Sequence, residues 1–175
     1  MKLTIRKAML SQTRSKSAEE LQQLSVKVCE AIEKNKQFLN ANIVLCFWSL
    51  PDEVNTHEFI QKWSATKTFL LPKVVGEKLE LHTFTNIESM TIGEFGISEP
   101  VGEIFDDYKK IDVCLIPGLA FDQEGGRMGR GKGFYDRFLP QTNCHKIGIC
   151  FPWQIVPRIE CAPWDIRMDE VISCK

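Results

Sequence analysis

Four short and almost unbroken apolar runs constrain this chain more than any other feature: "IVLCFW" at 43–48, "TFLLPKV" at 68–74, "IDVCLIPG" at 111–118 and "KIGIC" at 146–150. Each has the length of a strand, and continuous rather than alternating hydrophobicity is what a strand covered on both faces requires. Such strands pair in parallel and need crossover helices to cover them. The intervening sequence supplies helices. "SAEE" at Ser17 to Glu20 is a capping box, followed by Leu21, Leu24, Val28 and Ile32 at helical spacing, which predicts a helix over 18–34. Leu3 to Ser11 predicts a shorter helix carrying Lys2, Arg6 and Lys7, and "SLPDEVNTHEF" leads into a third with Phe59, Ile60 and Trp63 on its apolar face. "LELHTF" alternates and is expected to pair beside the second run, while "FGISEP" reads as loop. A short helix is expected from Gly131 to Leu139, ended by Pro140, and the tail closes on a last apolar stretch. No repeat or linker interrupts residues 1–175, so the expectation is a single layered α/β domain with a mostly parallel sheet.

Composition excludes several classes. With 175 residues and 43% hydrophobic content, one domain of this size buries roughly 70% of the surface its unfolded chain exposes and needs no covalent staples. The seven cysteines are odd in number and contain no CxxC pair, which predicts reduced, packed thiols and a cytoplasmic setting. The polar start "MKLTIRKAMLSQTRSK" is unlike a signal peptide, and no apolar run reaches the ~20 residues of a membrane span. A formal net charge of −1 argues against a surface devoted to nucleic acid.

Locally the charge differs. "GGRMGRGKGFYDR" places five glycines in the nine positions 125–133 and carries Arg127, Arg130, Lys132 and Arg137 against Asp136 alone, a balance of +3. Glycine lets backbone N–H groups approach an anion closely, and the cations complete a phosphate-binding pattern. It is not a P-loop. Gly126-x-x-x-x-Gly131-Lys132 matches seven positions, but Gly133 stands where Ser or Thr would hold Mg²⁺, and the seven residues Leu119 to Gly125 separate the loop from its strand. Nor does Gly129-x-Gly131-x-Gly133 make the dinucleotide fingerprint.

The longer stretch "PGLAFDQEGGRMGRGKGFYDRFL" resembles the signature of the 5-formyltetrahydrofolate cyclo-ligase (methenyltetrahydrofolate synthetase) family. In the same order as in that family come Lys2-x-x-x-Arg6, "SLPDEVNT", "GISEP", Gln154 and "D-x-x-x-D-E-V", so the resemblance spans essentially the whole chain. It implies a three-layer α/β/α sandwich similar to the ribose-5-phosphate isomerase and CoA-transferase group. It also implies ATP- and Mg²⁺-dependent cyclisation of 5-formyltetrahydrofolate to 5,10-methenyltetrahydrofolate by a monomer, with release of ADP and phosphate.

That chemistry accounts for the residue types. An N5-formyl amide is a poor electrophile until its oxygen is phosphorylated, after which N10 attacks the activated carbon and phosphate leaves. Phosphoryl transfer needs little covalent help and much positioned positive charge. Arg130 and Lys132 are the candidates for covering the β- and γ-phosphates, with the N–H groups of Gly129, Gly131, Gly133, Phe134 and Tyr135 beside Arg127 and Met128 as the cradle. The resemblance adds Lys2 and Arg6 as nucleotide contacts, and Asp136 and Asp165 as Mg²⁺ ligands, hard oxygen donors suited to that ion. On the folate side it points to Trp48, as a stacking face for the pteridine, and to Glu53, which accepts from the amino-pyrimidine or takes the N10 proton. Phe95 and Tyr135 are further candidates for the folate pocket. The chain departs from the family pattern at Phe134 (usually Tyr), Met128 (usually Leu) and Trp164 (often His). Two other classes fit a cationic glycine loop: a small-molecule kinase, which would form ADP with substrates lacking a formyl group, and a binding module, which would bind without turnover.

Overall fold

The computed structural model describes residues 2–93 and 96–174. Its centre is a seven-stranded sheet. Strands β1 (Ile43–Leu45), β2 (Thr68–Val75), β3 (Lys78–Thr83), β6 (Ile104–Phe105), β7 (Val113–Pro117), β10 (His145–Ile149) and β11 (Glu170–Ile172) stand in the order β11-β10-β7-β1-β2-β3-β6. The pairings from β11 across to β2 are parallel. Those joining β2 to β3 and β3 to β6 are antiparallel, the first through a tight turn at Gly76 and Glu77. Two small ribbons lie outside the sheet: β4 (Met90–Ile92) with β5 (Ser98–Pro100), and β8 (Ala120–Phe121) with β9 (Arg127–Met128).

Alternation along the buried strands sorts side chains onto two faces. Val44, Phe69, Leu71, Val113 and Leu115 pack with helices α2 (Ala18–Glu33), α3 (Lys36–Asn40) and α4 (His57–Trp63) through Val28, Ile32, Phe38, Phe59 and Ile60. Leu45, Leu70, Cys114 and Ile116 pack on the opposite face against Phe138 of α5 (Phe134–Phe138), Phe121 and Met168. Helices therefore lie on both sides of a mostly parallel sheet, as expected. Full burial of rings such as Phe38 and Phe69 contributes roughly 1.5–3 kcal/mol each.

The capping box forms as read: Ser17 Oγ accepts from Glu20 N–H, and Glu20 accepts from Ser17 N–H. Helix α1 (Lys2–Arg14) runs longer than the sequence predicts, because Ile5 and Met9 pack on Ala120, Met128 and Ile159 and Thr13 is buried. Strand β1 is shorter than its apolar run. Cys46 and Phe47 are apolar because they enter the same core, beyond the end of the ladder. Helix α5 starts only at Phe134, since Gly131 (φ 102°) and Gly133 (φ 70°) are left-handed. The expectation of seven free thiols is corrected at one pair: Cys114 and Cys144 are joined as a disulfide, with Cα atoms 6.0 Å apart. Register explains it. Cys114 stands opposite Lys146 in the β7–β10 ladder, two residues after Cys144, so both thiols face the same layer. No helix among the described residues is long and apolar enough to cross a membrane.

Candidate active site

Beyond the carboxyl ends of β1 and β7, where ligands bind in parallel α/β sheets, a cleft of about 750 Å³ opens. The glycine-rich segment forms one wall, and it is built in two steps. In the first, Leu119 N–H donates to Met128 O (2.7 Å), closing the β8–β9 ribbon. The buried Asp122 carboxylate then accepts from Glu124 N–H (2.9 Å), Gly126 N–H (2.8 Å) and Ile159 N–H (2.7 Å). Gly125 has a positive φ of 82°, and a Cβ there would collide with the carbonyl of Met168, whose N–H donates back to Gly125 O at 2.8 Å. In the second step the chain swings out through Gly129 to Gly133 into the cleft.

The four cations of the segment have different fates. Arg127 is pulled inward, its side chain only 6% exposed, donating to Pro117 O (3.1 Å) and Asp136 Oδ2 (3.3 Å) and lying over the Tyr135 ring. Its Nε is buried with no partner among the described residues. Arg130 reaches across the cleft to a fork of acids: both Asp52 oxygens, at 2.5 and 3.2 Å, and Glu53 Oε1 at 3.3 Å. Arg137 braces the loop from behind, donating to Lys132 O (3.0 Å) and to Glu77 O (2.8 Å) in the β2–β3 turn. Lys132 lines the cleft, exposed, and its ammonium has no ion-pair partner among the described residues.

Helix α1 covers the loop from the far side. Arg6 Nε donates to Gly129 O at 3.0 Å, and a Cβ added at Gly131 (φ 102°) would meet the Arg6 guanidinium at 3.5 Å. One turn earlier, Lys2 Nζ pairs with Asp165 Oδ2 at 3.1 Å. Asp165 also accepts from Ala162 N–H (2.7 Å); burial opposes its ionisation, but that bond and Lys2 hold the carboxyl below its ordinary range. Asp136 accepts from Ile166 N–H through its second oxygen at 3.1 Å. The two acids thus line one cleft, each with a cation beside it. Among the described residues no cluster of three or more His, Cys, Asp or Glu could hold a metal alone, so a cation here would draw further oxygens from a ligand.

The other end of the cleft is mostly apolar, with Trp48, Pro72, Val74, Leu79 and Ile97. Glu53 is set into it, 13% exposed, its Oε2 accepting from Leu50 N–H at 2.9 Å. Burial pushes its carboxyl up despite the Leu50 bond and Arg130. Trp48 is stacked on His57 at 4.0 Å and on Phe84 at 5.7 Å, so its ring is partly packed into the core where it lines the cleft. The Tyr135 hydroxyl is also pushed up by burial and stays protonated. Met128 is buried against α1, its side chain serving packing. Phe95, expected in the folate pocket, lies outside the described residues.

Three contributors escaped the sequence reading. Asp122 has a legible signal, an acid four residues before Gly126 in "DQEGG", the spacing of a side chain that folds a turn around itself. Gln154 had been noted only as a motif position; its amide bridges the strand-to-loop exit, donating to Gly118 O (3.1 Å) and Leu119 O (3.2 Å). Asp52 gave no signal, since its partner lies 78 positions away.

The sequence profile of the 5-formyltetrahydrofolate cyclo-ligase family matches residues 1–174. The 5-formyltetrahydrofolate cyclo-ligase of Mus musculus is 27% identical over 184 residues, covering 96% of this chain and 91% of that protein. That of Escherichia coli (strain K12) is 31% identical over 143 residues, covering 76% and 78%. The NMR structure of Aquifex aeolicus 5,10-methenyltetrahydrofolate synthetase superposes with a TM-score of 0.87 at 32% identity, covering 98% of this chain and 88% of that one.

Proposed function

The chain belongs to the 5-formyltetrahydrofolate cyclo-ligase family, and from that premise we propose that its cleft closes 5-formyltetrahydrofolate to 5,10-methenyltetrahydrofolate at the expense of ATP, giving ADP and phosphate. One observation carries the nucleotide half of this reading. Lys132 stands on the exposed part of a glycine loop, in the same cleft as half-buried Glu53, with no acid among the described residues to neutralise it.

Lys132 meets the γ-phosphoryl group as its charge spreads in transfer to the formyl oxygen, a role that requires a cation free to act. Arg130 joins it by exchanging partners. Its pairs with Asp52 and Glu53 are partly exposed. Exposed pairs are typically worth about 0–1 kcal/mol, less than charge-assisted bonds to phosphate in a closed site. Arg6 and Lys2 extend the positive wall, and the Arg127 Nε, which has no partner among the described residues, offers one more donor at its base. Asp136 and Asp165 are the residues that would hold Mg²⁺, which would neutralise phosphate charge there.

The pteridine lies along the apolar end, against the part of Trp48 that lines the cleft. When Arg130 leaves Glu53, that carboxylate loses the cation holding its proton affinity down, while burial still raises it. Glu53 thereby becomes the better acceptor for the N10 proton just as the formyl carbon is activated. The test is spectrophotometric: methenyl product forms only with ATP and a divalent cation present, with one ADP per product. ADP formation without formyl-dependent product would identify a kinase, and binding without turnover a binding module.

A further inference from the structure

The contacts across the cleft run in one order. Glu53 touches Arg130; Arg130 adjoins Gly129, which holds Arg6; Arg6 is one turn of α1 from Lys2; Lys2 holds Asp165; and Asp165 follows Trp164. Trp164 is therefore at the end of the series opposite Glu53, past the cations. It lines the cleft and is 73% exposed, whereas Trp48, Trp63 and Trp153 pack against the core. Its exposure is enforced by a rigid mount. Pro163 and Trp164 are the central residues of a turn closed by Asp165 N–H to Ala162 O (3.0 Å) and again by Ala162 N–H to the Asp165 carboxylate (2.7 Å). Lys2 clamps that carboxylate from α1, and Ile166 N–H is tied to Asp136 of α5. A large aromatic side chain displayed on a turn pinned from both sides forfeits its burial with no relaxation available. A ligand that covers it recovers that loss.

We propose that Trp164 is the platform on which the nucleobase of the nucleotide stacks, and so sets affinity for ATP over a bare polyphosphate. The inference rests on the nucleotide reading given above. With phosphates held by Lys132, Arg6 and Lys2, the remainder of the nucleotide extends toward one end or the other. The Glu53 end has Trp48 already stacked on His57 and Phe84 and is the apolar pocket of the pteridine. At the other end a free indole face is on offer, and base–aromatic stacking needs only a π-face.

Steady-state kinetics on parent, Trp164→Ala and Trp164→Phe test this, with ADP and inorganic tripolyphosphate as inhibitors and melting temperature as the control for folding. Trp164→Ala raises KM for ATP about tenfold, the scale of one lost base–aromatic stack, and weakens inhibition by ADP in parallel. It leaves KM for 5-formyltetrahydrofolate and inhibition by tripolyphosphate unchanged, and Trp164→Phe restores most of the loss. An unchanged KM for ATP overturns the proposal, as does a rise in the folate constant instead, or an equal weakening of tripolyphosphate. If the parent turns over without ATP, the nucleotide reading itself falls and takes the platform with it; the parent assay separates that outcome from the others.

Discussion

The glycine-rich segment has two halves that both set arginine beside glycine and behave oppositely. From Leu119 to Met128 the backbone is locked: the ribbon closes on itself, Asp122 gathers three N–H groups, and Arg127 is folded inward. From Gly129 to Gly133 the chain leaves the core, its backbone held by Arg6 and Arg137 and its Arg130 side chain by Asp52 and Glu53. Gly125 in the first half combines left-handed backbone with close packing on the Met168 carbonyl, whereas Gly131 in the second is left-handed beside Lys132 with nothing nearer to an added Cβ than the Arg6 guanidinium among the described residues. The lesson is that one half is a foundation and the other an aimed group, and that charge burial, rather than glycine count, tells them apart.

Substitutions can break that division. The largest effect is expected at the foundation. Asp122→Ala strands the buried N–H groups of Gly126 and Ile159, each costing about 1–3 kcal/mol, and the partly buried one of Glu124, so a loss of several kcal/mol should appear as a lower denaturation midpoint, with activity lost alongside. At the aimed half, Lys132→Ala should cut kcat by about 100-fold or more while the midpoint hardly moves, the scale of one missing preorganised donor. If the two variants fall equally in stability, the segment is a single structural unit and the division is wrong. Asp136→Asn sits at the join, since Asp136 binds both Arg127 and Ile166 N–H. It should raise the Mg²⁺ concentration needed for half-maximal turnover, with folate binding measured without metal unchanged. Identical Mg²⁺ titrations in variant and parent would make Asp136 a brace for Arg127 only.

The smallest effect sharpens the picture at α1. Asp165 is held below its ordinary value of about 3.8, burial opposing and the Ala162 N–H and Lys2 prevailing. Its contribution to stability is therefore complete above that value and lost as pH falls through the lower folded one. Asp165→Asn lacks it at every pH. The gap in melting temperature between parent and variant, worth no more than about 1 kcal/mol for a pair this exposed, should be open near neutrality and close in acid. A gap independent of pH would mean that Asp165 acts through its turn geometry alone.

How much of this was legible follows from how local each cause is. The capping box at Ser17 and Glu20 and the buried strands announce themselves within a few residues, and α2 and the sheet core follow them. Strands as short as β6, β4 and β5 have no pattern of their own; pairing partners create them. For the site, the residue types were legible and their allegiances were not. Arg127 and Arg130 are three positions apart in the same motif, yet one is buried on Asp136 and the other reaches Asp52, and no spacing distinguishes them. The return of α1 onto the loop was legible only as what a nucleotide role for Lys2 and Arg6 would demand; the Arg6 to Gly129 bond shows that contact directly. The Cys114–Cys144 pair was invisible because strand order, unreadable from a 30-residue separation, brings the two together.

The Lys2–Asp165 clamp joins residues 163 positions apart. Contacts that long close late in folding, because the loop entropy they remove must be offset by structure already in place. Helix α1 precedes its seat in the chain and is among the last elements to find it, since that seat includes the turn at Ala162 to Asp165. A nascent or clipped chain that stops short of this turn can complete β1, β2 and β7 and still lack a closed cleft. Catalytic competence in this fold is thus a late event of assembly, and the appearance of turnover during refolding should lag behind the burial of the core.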